Sequence, residues 1–223
     1  MKHIYTYIIE ALHINKNTTS KTYSFFPKNK DELIQIIINK FKEQIVEQKE
    51  KEDNSVITLN DIDVSDIKDF SELFYNVYNN IAYSYKKIIK VIDISEWEMS
   101  QATDLSYMFK KCEYVEEIKL SDWNVTNVRK FIGMFSLCEN LKTLDLSNWK
   151  TLSAQNMKYM FNECGSLETI GDISKWYIKQ VLDYNYMFNR CTKLSCNISS
   201  WKFNKKARIS NMNNSAEGVK LPS

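Results

Sequence analysis

Apolar residues return along this chain at a fixed interval. Over residues 141–146 the order is Leu-x-x-Leu-x-Leu, and alternation sends Leu144 and Leu146 inward while Thr143 and Asp145 face out, as on a short strand. The stretch before it places Phe131, Met134, Phe135 and Cys138 at i, i+3, i+4 and i+7, a spacing that predicts one face of a short helix. The same spacing recurs from Leu105 to Cys112 and from Tyr184 to Cys191. Trp97, Trp123, Trp149, Trp176 and Trp201 are separated by 26, 26, 27 and 25 residues, with Ser95, Ser121, Ser147, Ser174 and Ser199 two places before them. A period in the twenties predicts a stack of units, each too small to bury its apolar side except against its neighbours.

The array extends beyond the tryptophans. Thr58-Leu59-Asn60-Asp61-Ile62 matches the Asp-Leu-Ser-Asn-Trp phrase, with Leu73-Phe74 standing for Met-Phe, so a degenerate unit precedes the first Trp. The spacing forward from Trp201 reaches Met212, where the Phe partner has become Asn213 and the chain turns polar, as a C-terminal cap does. Ahead of the array, Asn29 and Glu32 form an Asn-x-x-Glu capping box that opens a helix with Leu33, Ile34, Ile37, Ile38, Phe41 and Ile45 on one face. That helix is expected to end in the charge run Glu47 to Asp53 and to close the open end of the stack. Ile4, Ile8 and Leu12 predict a further short amphipathic helix over residues 1–14. The expected organisation is an amphipathic extension over 1–22, a capping helix over 23–55 and about six repeats with a C-terminal cap over 56–223. The fold class is α/β: a solenoid with a parallel strand ladder on one side, short helices on the other and an N-terminal helical cap.

Composition narrows the chemistry. A net charge of +2 provides no strong field toward nucleic acid or a membrane surface, so no nucleic-acid partner is expected. Four glycines leave little for phosphate-cradling loops. Four of the five cysteines occupy one column of the repeat, as small buried residues do, so free thiols and no metal site are expected. The two histidines, His3 and His13, lie in the extension. The serine column has no base at a predictable distance, and turn hydroxyls bonding local backbone account for it. No catalytic residue, metal or cofactor is therefore assigned, and an enzyme is not expected. No run is long enough to cross a bilayer, and the opening residues lack a small-residue cleavage site, which predicts no export by the common route.

The phrase Cys-x-x-Leu-x-x-Leu-Asp-Leu-Ser-x-Trp, continuing through Asn-Val-Thr-Asn-Val to Met-Phe, resembles the leucine-rich repeats of BspA-like bacterial surface proteins over about residues 56–212. That resemblance implies a protein-binding or adhesin-type module displayed on cells. The first dozen residues, Met-Lys-x-x-x-x-Tyr-Ile-x-Glu-Ala-Leu, are similar to peptides that direct internal proteins into phage heads, so a virion-associated protein on the same scaffold is the alternative. Compartment and partner stay open between cell surface, cytoplasm and virion.

The candidate contact residues are those that packing does not fix. The outward strand positions are Thr58, Asp93, Lys119, Asp145, Asp172 and Asn197, with Thr143 beside them. Lys119 is expected to be balanced by Asp93 and Asp145, and Asp145 beside Asp172 to form an unbalanced acidic pair for a cationic partner. Between the degenerate unit and the first full one the spacing stretches to 35 residues and admits Tyr75, Tyr78, Tyr83 and Tyr85, a second candidate surface.

Overall fold

The computed structural model describes residues 22–51, 56–120 and 122–222. The expected helix over residues 1–14, His3, His13 and Ser121 lie outside the described residues.

Helix α1 (Lys30–Lys51) begins where the capping box predicts: Glu32 N–H donates to Asn29 Oδ1 at 2.9 Å, and Glu32 Oε2 accepts from Lys28 N–H at 2.9 Å. Asp31 and Glu32 add negative charge where the helix dipole is positive. Leu33, Ile37, Phe41 and Ile45 are fully buried, and Phe41 packs on Phe74 and Tyr78 of the first repeat. The helix also satisfies the edge that it covers. Gln44 donates to Thr58 O at 2.9 Å and accepts from Thr58 N–H at 3.0 Å, standing in for a missing strand.

Strands β1 (Val56–Thr58), β2 (Val91–Asp93) and β3 (Glu117–Lys119) form a parallel sheet in which Ile57, Ile92 and Ile118 are in register. Bridges from Glu117 to Thr143 and from Thr143 to Thr169 carry the ladder two repeats further. Helices α2 (Leu73–Asn79) and α3 (Tyr83–Ile88) lie between β1 and β2. Strands β4 (Cys196–Asn197) and β5 (Val219–Lys220) pair in parallel as a separate sheet, so the polar tail adds a strand to the array. A second parallel ladder of single bridges links Asp69, Asp104, Lys130, Asn156, Asp183 and Arg208. The chain is thus a mixed α/β fold with a small parallel sheet and few helices.

The core is one continuous cluster built from columns, one residue per repeat. The five indoles stack at centroid spacings of 6.1–6.4 Å, and Phe74, Phe109, Phe135, Phe161 and Phe188 stack at 4.9–5.6 Å. Four of the indole N–H groups donate to a carbonyl of the preceding repeat, such as Trp123 Nε1 to Ile94 O at 3.0 Å. The thiols do likewise: Cys138, Cys164 and Cys191 point Sγ at the carbonyls of Phe109, Phe135 and Phe161 at 2.9–3.0 Å.

The short helices expected in each full repeat are not formed. Residues 105–112 and their counterparts run as consecutive turns, because alternate amides serve two different partners. Tyr107, Phe109 and Lys111 donate to Ile132, Met134 and Ser136 of the next repeat, while Met108, Lys110 and Cys112 donate three residues back. Left-handed backbone at Tyr107 (φ 58) and Lys111 (φ 60), repeated at Tyr159, Glu163, Tyr186 and Arg190, breaks any α-helical run. Only the first repeat relaxes into α2, and it keeps the left-handed residue, Glu72, at the helix start.

Candidate functional site

The outward strand residues are held by their own turns. Asp93, Asp145, Asp172 and Asn197 each accept, through Oδ1, the backbone N–H two residues on, at Ser95, Ser147, Ser174 and Ser199, over 3.0–3.2 Å. The serine column is therefore mainly a column of amide donors to Asp or Asn, with the acidic side chain supplying the turn acceptor. Partial burial raises the Asp93 carboxyl, but hydrogen bonds from Asn60 and Ser95, with the charge of Lys119, outweigh it and hold the group below its ordinary range. Hydrogen bonds from Ser174 lower Asp172 in the same way.

Lys119 pairs with Asp93 at 3.7 Å, as expected from the register, and among the described residues it has no ion pair to Asp145. The neighbour of Asp145 in the next repeat is Gly171, the extra residue in the 27-residue spacing. Gly171 has φ +74, and a Cβ there would collide with Asp145 Oδ1 and Ser147 Oγ. Asp172 sits one place further on and donates its N–H to Ser147 Oγ at 2.8 Å. Thr58 and Thr143 are exposed, Thr58 with its backbone bound to Gln44 and Thr143 bridged to Glu117 and Thr169.

The bulge at Gly171 opens a cleft that the sequence reading missed. Past it the strand ladder divides, and a space of about 320 Å³ is lined by Gly171, Asp172, Ser195, Cys196, Asn197 and Lys220, with Ile173 behind them. The signal was present in the 27-residue spacing and the lone glycine. The cleft presents one carboxylate, one ammonium and an amide, suited to a small polar group. Burial pushes the Cys196 thiol up to about 12, so it is no nucleophile at neutral pH.

The tyrosine insertion divides into core and surface. Tyr78 leaves the candidate surface: it is 2% exposed on the inner face of α2 against Phe41, and burial raises its hydroxyl well above the ordinary range. Tyr85 is partly buried against the core. Tyr83 is 58% exposed; its hydroxyl lies 2.6 Å from that of Tyr114, and Lys87 Nζ lies 4.6 Å from its ring centre. Tyr75 is half-buried with Lys110 Nζ over its ring at 5.4 Å. Tyr114, which sequence reasoning did not select, is half-buried and completes the pair.

Elsewhere the charged columns are paired between repeats: Lys130 with Asp104 at 3.0 Å, Arg208 with Asp183 at 2.7 Å, and Glu116 with both Lys90 and Lys142. Among the described residues no three His, Cys, Asp or Glu side chains converge as a metal-ligand set, and no helix is long and apolar enough to cross a membrane.

Three overlapping stretches, residues 40–143, 79–170 and 119–222, match the family described as Mycoplasma protein of unknown function, DUF285. The chain belongs to this family. Overlapping matches along one DUF285 chain are what a unit repeated in register produces. No curated protein and no solved structure matches it.

Proposed function

We propose that this chain is a leucine-rich-repeat solenoid of the BspA-like type, acting as a non-catalytic protein-binding module of adhesin character. The observation that carries this reading is the Tyr83–Tyr114 pair. The two rings meet edge to face at 5.9 Å, Tyr83 exposed on an insertion that the repeat period does not require and Tyr114 supplied by the following repeat. Tyrosine provides a large contact area and a polar tip at the cost of few torsions, the profile of an interface anchor. The strand ladder supports the reading differently. Asp93, Asp145, Asp172 and Asn197 are fixed by their turns, so a partner meets a preorganised row of acceptors.

The test is adhesion of protein-coated beads to cultured host cells, with Tyr83→Ala/Tyr114→Ala and Asp145→Lys/Asp172→Lys variants that keep the wild-type circular dichroism and melting. Loss of adhesion in either variant supports the reading. Beads that bind no better than albumin-coated controls, or variants that bind like wild type, overturn it. The virion alternative rests on residues 1–12, and no observation on the described residues favours it.

A further inference from the structure

The columns flanking the stacked tryptophans change sign along the stack. One residue after each Trp position, from the first repeat to the sixth, stand Asp63, Glu98, Asn124, Lys150, Tyr177 and Lys202. One residue before it stand Asp61, Glu96, Asp122, Asn148, Lys175 and Ser200. The first three repeats thus carry acids along this edge, with Asp61 already paired to Lys40 at 2.8 Å, and the last three present lysines. The rest of the chain follows the same division: residues 150–223 hold 11 Lys+Arg against 5 Asp+Glu, within totals of 30 and 28.

The tryptophans face inward, so their flanking residues face out. Glu98, Asp122, Lys150, Lys175, Tyr177 and Lys202 are all exposed. Whereas Lys90, Lys119, Lys130 and Lys142 of the two ladders are paired with carboxylates, Lys150, Lys175, Lys179 and Lys202 have no ion pair among the described residues. The lysine half of the edge also carries exposed apolar groups, Leu152 at 46% and Tyr177 at 37%. Cations without a carboxylate partner beside exposed apolar side chains, Lys179 Nζ lying 5.8 Å from the Tyr177 ring centre, mark a surface that gains from being covered.

We propose that this tryptophan edge is a self-association surface, on which two copies of the chain pack antiparallel about a two-fold axis between the third and fourth repeats. A two-fold contact sets the first repeat against the partner's sixth, the second against its fifth and the third against its fourth. In every one of these pairings acid meets lysine. Asp63 faces the lysine row of the sixth repeat, Glu98 that of the fifth at Lys175 and Lys179, and Asp122 that of the fourth at Lys150. Leu152 is brought near the axis, where Asn124 and Asn148 are neutral, and Tyr177 lies against the partner's second repeat. An anionic surface would match only half of this edge and be repelled by the other half. A second copy matches both, since each half is the complement of the other. Turning the chain end over end restores the match, whereas packing it parallel sets like charge on like.

Sedimentation velocity of the full chain tests the proposal, with concentration series at low and high salt. A dimer is expected, and 1 M salt should weaken it about tenfold, because a screening length of about 3 Å removes most attraction between exposed charges. Two charge-reversal variants carry the decisive comparison. Glu98→Lys/Asp122→Lys sets lysines against the partner's lysines of the fourth and fifth repeats, and Lys150→Glu/Lys179→Glu sets carboxylates against the partner's Glu98 and the partner's Asp122. Each alone is expected to be monomeric, with circular dichroism and melting confirming the fold. Mixed in equal amounts, they are expected to restore a dimer, because each then faces its opposite. A wild-type chain that stays monomeric at low salt, a dimer that both variants retain, or two folded monomeric variants that fail to associate when mixed overturns the proposal. So does a monomer that binds phosphatidylglycerol vesicles through Lys150 and Lys179, which assigns the surface to an anionic lipid face instead.

Discussion

Trp123 and Trp149 stack with their planes 2° apart and their centroids 6.4 Å apart, yet their indole N–H groups have opposite fates. Trp123 Nε1 donates to Ile94 O at 3.0 Å, whereas Trp149 Nε1 is buried without an acceptor. Among the repeats that carry a tryptophan, the one before Trp149 is also the one that departs from the turn pattern, with Lys119 where Asp93, Asp145, Asp172 and Asn197 stand in the others. The difference separates packing from hydrogen bonding within one column.

Both Trp123→Ala and Trp149→Ala are expected to cost about 3 to 5 kcal/mol, since each removes a buried ring from the middle of the stack. Phenylalanine keeps a ring but no donor. Trp123→Phe removes one of two donors to the Ile94 carbonyl, which keeps the Trp97 N–H at 3.1 Å, and should cost about 0.5 to 1.5 kcal/mol more than Trp149→Phe, which removes a donor that is already unpaired. Urea unfolding of the four variants checks both statements. A Trp149→Ala cost below about 1 kcal/mol would reject the packing role of the column.

The period, the columns and the capping helix were legible because each rests on side-chain identity. Tryptophan, Met-Phe and Cys recur in equivalent places, and Asn29 with Glu32 marks a helix start directly. The turn arc was misread because i, i+3, i+4, i+7 burial is shared by a helix and by consecutive turns bonded to a neighbour. The residues that would have told them apart carry little warning: the left-handed positions hold Tyr107, Lys111, Leu137, Tyr159, Glu163, Tyr186 and Arg190, and glycine stands in this arc at Gly133 alone. Tyr78 was misplaced for a related reason, since α2 turns Phe74 and Tyr78 to one side while Tyr75 stays at the surface. The cleft depended on where a 27-residue repeat places its extra residue, and only Gly171 identifies that place.

Gly133 occupies the left-handed column of Tyr107, Tyr159 and Tyr186, so its φ of +55 is not what demands glycine. The demand comes from Tyr107, whose ring carbons would lie 2.5 and 2.6 Å from a Cβ at Gly133. Gly133→Ala should therefore cost about 1 to 3 kcal/mol through overpacking. In a Tyr107→Ala background the same change should cost under about 1 kcal/mol, because the obstruction is gone. Thermal melts of the four members of the cycle measure the coupling; equal costs in both backgrounds would show that backbone strain, not the ring, sets the glycine.

Asn189 holds a polar thread inside the stack. It donates to Asn162 Oδ1 at 2.7 Å and accepts from Asn214 Nδ2 at 3.0 Å, while only 7% exposed. Asn189→Ala leaves both neighbours without it and should cost about 1 to 3 kcal/mol. Asn189→Asp sets a carboxylate against Asn162 Oδ1, so its folded pKa rises above the unfolded value near 3.9. A raised carboxyl pKa means that the variant is least stable at neutral pH and regains stability as the pH falls through the folded pKa. Unfolding at pH 7 and pH 5 against wild type checks the sign.

The thiols make the alkaline limb of stability predictable. Burial raises Cys112, Cys138 and Cys164 well above the ordinary thiol range and Cys191 and Cys196 to about 12. Unfolded thiols ionise near pH 8.5. Because the folded pKa is the higher one, the stabilisation is complete below the unfolded value and is lost as the pH rises toward the folded value. In that window the unfolded chain binds fewer protons, and each thiol subtracts about 1.4 kcal/mol per pH unit. The urea midpoint in the presence of reductant should therefore fall steeply between pH 8 and pH 10. Cys112→Ala/Cys138→Ala, though less stable at pH 7.5, should show a shallower fall, since two of the five linked protons are gone. A slope that the double variant leaves unchanged would mean that other groups govern the alkaline transition, and that the cysteine column contributes packing and Sγ hydrogen bonds alone.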